Sequence, residues 1–194
     1  MKMVHTTQAS PARTAAVPAL VVILLLLACV SLTSGCNTGK AAPTPANFAL
    51  AINNHFLDHP DCLFMDTRFP FETSDPAKTK QLDSLVKSLL LDKSVEMSIH
   101  VSRYTVTPAG TRYAPRFCYG HREVTSIGSF TPIAVNDGFK ETTVTYSYTM
   151  KEVPVWAMSH EVQAAFPDMA RATTGQVTAK ATLAQTPVGW QIPD

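Results

Sequence analysis

The spacing of hydrophobic positions changes along the chain, and each change marks an element. Ala15 to Val30 has no period at all: it is an unbroken apolar run that includes Val21-Val22-Ile23-Leu24-Leu25-Leu26-Leu27. Lys2 and Arg13 precede it, and Leu32-Thr33-Ser34-Gly35-Cys36 follows with small residues. A positive start, an apolar stretch and a small-residue processing site are the build of a secretory signal. A membrane-crossing helix needs about 20 apolar residues. Ala15 to Leu32 approaches that length, so an uncleaved membrane anchor is the competing reading. Either way, the remaining chain is expected outside the cytoplasm, on a membrane leash.

After this run the pattern becomes that of a folded domain. Asn37 to Ala46 holds Gly39, Pro43 and Pro45 without apolar periodicity and reads as a tether, residues 36–46. Thr44-Pro45 is a helix start, and Phe48, Ile52 and Phe56 repeat every four residues until Pro60. Leu50 and Leu57 fall on the opposite side, which predicts a helix over about 45–57 covered on two faces. Asp61 to Thr73 carries Cys62, Leu63, Phe64, Phe69 and Phe71 with no clean period and reads as an irregular or short extended segment. Asp75-Pro76 opens a second helix whose Leu82, Leu85, Val86 and Leu89 share one face.

From Val95 the period is two. Val95, Met97, Ile99 and Val101, then Tyr104 and Val106, alternate with polar residues up to Pro108-Ala109-Gly110. Phe117 to Ile127 reads as a further strand, and Asn136-Asp137-Gly138 is a hairpin turn. Thr142, Val144, Tyr146, Tyr148 and Met150 alternate with Thr and Ser over a long strand that Pro154 ends. Ser159 caps one short helix through Phe166. Val177 to Leu183 alternates again, Pro187-Val188-Gly189 turns, and Trp190-Gln191-Ile192 pairs back. The fold class is α+β: N-terminal helices with a hairpin, then a C-terminal antiparallel sheet with one short helix, in a single domain over 47–194.

Charge and cysteines narrow the setting. The chain has 194 residues, and removal of the first 35 leaves about 159, enough for one core. Without Lys2 and Arg13, 14 basic residues face 15 acidic ones, a net charge of about −1. Such a surface has no general attraction for nucleic acid, whose binding requires phosphates to be neutralised. Cys29 lies in the apolar run and Cys36 at its end, leaving Cys62 and Cys118 as an even pair in an oxidising compartment. Their disulfide would close a loop of about 57 residues and add on the order of 4 kcal/mol in the chain-entropy model.

Candidate chemistry is sparse. Arg103, Arg112, Arg116 and Arg122, with His100 and His121, lie in a run from Ile99 to Arg122 that holds no acidic residue. Gathered by a hairpin, they form a cationic patch for phosphate or carboxylate; spread by strand alternation, they face two ways. His55 and His59 stand four apart on the first helix beside Asp58 and Asp61, where a metal site would need a third ligand. The bland reading is local hydrogen bonding at the core's border. No Gly-x-Ser-x-Gly, His-Glu-x-x-His or phosphate-binding glycine loop occurs. Ser159-His160-Glu161 are helix neighbours pointing in different directions, so capping explains them better than a triad. No cofactor is implied.

Three resemblances add to these readings. Ser34-Gly35-Cys36 resembles a bacterial lipobox, in which the cysteine is lipidated and becomes the first residue after cleavage; Thr33 stands where leucine is more usual, and Leu26-Leu27-Ala28-Cys29 is a rival site. The resemblance implies a signal peptide over 1–35 and, with Asn37 rather than an acidic residue after the cysteine, the outer membrane facing the periplasm. The helix and strand pair with Tyr104 to Tyr113 resemble the recognition helix and wing of winged-helix proteins over 76–113, implying a winged-helix-like hairpin. The lipobox followed by a domain with Phe117-Cys118-Tyr119-Gly120 resembles uncharacterised lipoproteins of proteobacteria, which carry over no activity. The expected protein is a lipid-anchored envelope protein that binds without catalysis. Its expected partners are the membrane and an envelope protein or anionic envelope ligand, with no nucleic acid. A periplasmic hydrolase with a dispersed site is the alternative.

Overall fold

The computed structural model describes residues 39–193. Cys29, Cys36 and the apolar run lie outside the described residues. The domain is mixed α+β, with helices against two antiparallel sheets.

Helix α1, Pro45–Asp58, starts where the sequence predicts: the Thr44 hydroxyl accepts from the Asn47 amide, and Pro45 occupies the first turn. Phe48, Ala51 and Ile52 are buried. Leu50 and Leu57 are exposed, so the expectation of two covered faces is corrected to one. The segment read as a tether is docked from Gly39 onwards. Asn47 donates to the carbonyls of Gly39 and Ala42, and the Trp190 indole and Gln185 amide both donate to Ala41.

The stretch expected to be irregular or short extended contributes two short strands, β1 (Asp61–Cys62) and β2 (Phe71–Thr73). Helix α2, Pro76–Lys87, is capped by the Asp75 carboxylate, which accepts from Ala77 N–H at 2.8 Å. It buries Leu82 and Leu85 but not Leu89, correcting the expected face. Leu89 takes a left-handed φ of 60° just past the helix, and this reversal turns Leu90 and Leu91 into the core in its place.

Strand β3 (Leu91–Glu96) pairs with β4 (Val101–Val106), and β2 pairs on the other side of β4. The expected hairpin is present, and the alternating run from Val95 to Val106 spans both its strands. Its polar–apolar pattern continues unbroken through a turn at Met97–His100, where His100 has φ 54° and Ser98 bonds the Glu96 carboxylate.

The larger sheet has the order β1-β5-β7-β8-β9, with β5 at Cys118–Phe130, β7 at Phe139–Lys151, β8 at Val177–Thr186 and β9 at Gly189–Gln191. Strand β6, Ala134–Asn136, takes over along β7 where β5 ends, and Asp137-Gly138, both at positive φ, forms the expected tight turn. On β7 the predicted alternation holds: Thr142, Val144, Tyr146 and Tyr148 are buried. Between β7 and β8 the one short helix is corrected to a 3-10 turn, Val155–Met158, and two helices, α3 (His160–Ala165) and α4 (Pro167–Thr173). Pro167 at the first position of α4 ends α3 and opens the next.

Two cores result. One lies between α1 and the large sheet, with Phe48, Ile52, Val144, Tyr146, Leu183 and Trp190. The other joins α2, the small sheet and the β7–β8 helices through Leu85, Leu91, Tyr104, Phe117, Trp156 and Met169. Phe117 is followed by Cys118, which pairs with Cys62 in the β1–β5 register and is disulfide-bonded to it. The bond therefore sits where the two cores meet, between residues 56 apart in sequence. Replacing both cysteines by serine is expected to cost roughly 3–4 kcal/mol, lowering the melting temperature by about 10 °C in a thermal unfolding experiment.

Candidate functional site

The structure distributes the four sequence-predicted arginines over three environments. Arg103, on β4, pairs with Glu72 of the neighbouring β2 at 3.2 Å, and both are exposed. Arg122, on β5, is half-buried and held from every side. Its Nε and Nη2 donate to the two carboxylate oxygens of Asp61 at 2.9 and 2.7 Å, and Nη1 donates to the Tyr146 hydroxyl at 3.3 Å. The Phe56 and Tyr148 rings face its guanidinium at 4.3 and 4.9 Å. Burial works against this charge, and the hydrogen bonds and attraction of Asp61, with a smaller share from Tyr146, more than offset it, so the Arg122 pKa lies above its ordinary value. Arg122 is thus committed to an internal, bidentate pair beside the disulfide.

Arg112 and Arg116 occupy the loop between β4 and β5. Thr107 organises that loop: its hydroxyl donates to the Leu89 and Leu90 carbonyls and accepts from Gly110 N–H at 2.9 Å. Gly110 packs so closely that a Cβ there would lie 2.1 Å from the Leu90 carbonyl oxygen, so only glycine fits. Arg112 is exposed and lies over the Tyr113 ring at 5.0 Å, which in turn meets Trp156 edge-on at 5.7 Å. Leu90, Pro108 and Ala109 complete with them an open cleft of about 430 Å³. No carboxylate pairs with Arg112 or Arg116 among the described residues. The indole N–H of Trp156 and the Nε of Arg116 are buried and find no acceptor among them either. A guanidinium on an aromatic wall suits a group with an anionic part and an apolar part.

His55 and His59 do come together, with rings stacked 4.4 Å apart, but His59 Nδ1 lies 3.0 Å from the His55 carbonyl oxygen. They border a groove between α1 and β9 that Lys40, Asp58 and Trp190 also line. Asp61, the other carboxylate near them in sequence, is turned to Arg122. Among the described residues, no three His, Cys, Asp or Glu side chains gather as a metal site requires.

The chain matches no family model, no curated protein and no solved structure. Among the described residues, no helix is long and apolar enough to cross a membrane.

Sequence reasoning missed the partners of both arginine sites. Tyr146 and Tyr148 are legible only as buried positions of a strand, and nothing along the chain points from Asp61 to Arg122. Trp156 follows the Pro154 that ends β7, with no periodicity to assign it. Around Arg122, a second cleft of about 640 Å³ is lined by Tyr119, Tyr148, Asp168, Arg171 and Gln176. Its carboxylates and guanidinia are matched, Asp61 with Arg122 and Asp168 with Arg171, so its walls are close to neutral. Burial, then the nearby Asp61 carboxylate, pushes the Tyr119 hydroxyl up to about 12. Its folded pKa exceeds the unfolded value of about 10, so the contribution is fully present below pH 10 and is lost as pH rises through 12. Alkaline denaturation followed with Tyr119→Phe is expected to show a shallower loss of stability between pH 10 and 12 than the parent chain; parallel curves would contradict this burial.

Proposed function

We propose that this chain is a lipid-anchored protein of the cell envelope that acts by binding, with acyl chains on Cys36 and its domain facing the periplasm from the outer membrane. One combination carries the reading: an apolar leader ending in Gly35-Cys36 precedes a domain crosslinked by Cys62–Cys118. A protein disulfide of this kind persists in an oxidising compartment. The ligand we assign is an anionic envelope group, such as a phosphate or carboxylate carried on an apolar or cyclic body. The Arg112, Tyr113 and Trp156 cleft supports this choice, because Arg103 and Arg122 already have carboxylate partners.

The winged-helix likeness of 76–113 enters this reading as architecture without nucleic acid. On α2, Asp83 is engaged by Lys93 at 2.8 Å and by the Tyr104 hydroxyl, so its surroundings do not make a cationic recognition face. The near-neutral net charge argues the same way.

The anchor is tested by the intact mass of the protein extracted from membranes. The expected mass corresponds to a chain beginning at Cys36 with added acyl groups. A mass beginning at Met1 without acyl groups would contradict the lipid anchor.

A further inference from the structure

We infer that the end of the large sheet carrying the β6–β7 and β8–β9 turns is a wedge that enters the head-group layer of the membrane, so that the domain is held edge-on rather than swinging free. The inference rests on the membrane attachment proposed above.

The first observation is where the anchored end of the chain meets the domain. Lys40 lies against Gly189: a Cβ at Gly189 would sit 3.3 Å from the Lys40 carbonyl oxygen. Ala41 is bonded by Gln185 and Trp190. Gly189 pairs with Thr186, and the β7–β8 register of Glu141 with Ala184, continued two residues, brings Thr186 level with Phe139. Phe139 pairs with Asn136. Strands lie about 4.8 Å apart, so the Lys40 contact is roughly 10 Å from Phe139 and 15 Å from β6. Cys36 is three residues before Gly39, a reach of about 10 Å at full extension. A bilayer holding acyl chains on Cys36 therefore meets this end of the sheet.

The second observation is what this end displays. Val135 is 72% exposed, Val188 62% and Phe139 56%, with Phe130 and Ile133 also exposed. Directly opposed residues of antiparallel strands share a face. Val135 with Lys140 therefore continues the face of Thr142 and Val144, while Phe139 with Asn136 lies on the other. Apolar side chains on both faces of a narrow tip suit a surrounding medium better than a flat protein partner, which would cover one face. Asp137 in the turn and Lys140 beside it limit the depth to the head-group region. The other apolar tip, Val95, Met97 and Ile99 on the β3–β4 hairpin, is equally exposed but has no such link to the anchored end.

The test uses the full chain, extracted from membranes and reconstituted into vesicles of phosphatidylethanolamine and phosphatidylglycerol. Nitroxide labels are placed at Val135→Cys or Phe139→Cys and, for comparison, at Val95→Cys or Met97→Cys. Each label's collision rate with oxygen is compared with that for a water-soluble nickel chelate. The oxygen-to-chelate ratio is expected to be several-fold higher at 135 and 139 than at 95 and 97. Equal ratios in a chain that floats with the vesicles would overturn the wedge while leaving the anchor standing. A chain that neither floats nor carries acyl mass on Cys36 would overturn both.

Discussion

The Cys62–Cys118 bond is the constraint on which the arrangement depends, because it is the covalent tie between a two-residue strand and β5, reinforced by the Leu63 and Phe64 amides donating to the Phe117 and Arg116 carbonyls. Strand β1 is only Asp61–Cys62, with a register irregularity between its two residues. From that point the chain runs through 63–75 into α2 and the small sheet, so its position sets where the second core begins. Beside it, Asp61 and Arg122 form a bidentate pair under the Phe56 and Tyr148 rings. The magnitudes separate the two roles. Closing a loop of this length contributes on the order of 4 kcal/mol, whereas a partly buried ion pair recovers little beyond its desolvation cost. The disulfide supplies stability; the ion pair and its aromatic sandwich supply register, pinning α1, β1, β5 and β7 to one another.

That arrangement also explains why the arginines divide as they do. A cation inside a sheet must be matched, and Arg122 is matched by Asp61 and Tyr146. Arg112 sits on a loop that Thr107 and Gly110 hold against Leu90, outside any sheet register, and faces an aromatic wall instead of a carboxylate. The candidate arginines on strands thus have carboxylate partners, and among the described residues those on the β4–β5 loop have none. The same division accounts for the apolar tips: both lie at hairpin turns beyond the covered sheet, and only one lies near Lys40, which packs on Gly189.

Much of the architecture was legible because local signals and tertiary needs agree. Thr44-Pro45 and Asp75-Pro76 cap their helices as written, and the alternation of β7 from Thr142 to Tyr148 reports its buried face directly. The disulfide followed from cysteine parity and an expected oxidising compartment. Where reading failed, tertiary choices had no local mark. Met97 and Ile99 keep a strand's alternation through a turn, and Leu89 completes a helical stripe it does not join, because a left-handed residue hands burial to Leu90 and Leu91. Leu50 and Leu57 read as a second buried face, but only the sheet side of α1 is covered. Pro167 carried a usable start signal for α4. The aromatic partners of Arg112 and Arg122 come from distant segments, and only the folded chain brings them together.

A domain that folds and stays oxidised outside the cytoplasm keeps Cys62 and Cys118 bonded to each other in living cells, and their redox state there can be read. Cells are quenched with acid, free thiols are blocked with one alkylating reagent, and a second is added after reduction. Both cysteines are expected to carry only the second label. Both carrying the first label would place the chain in a reducing compartment and contradict the envelope reading at its base.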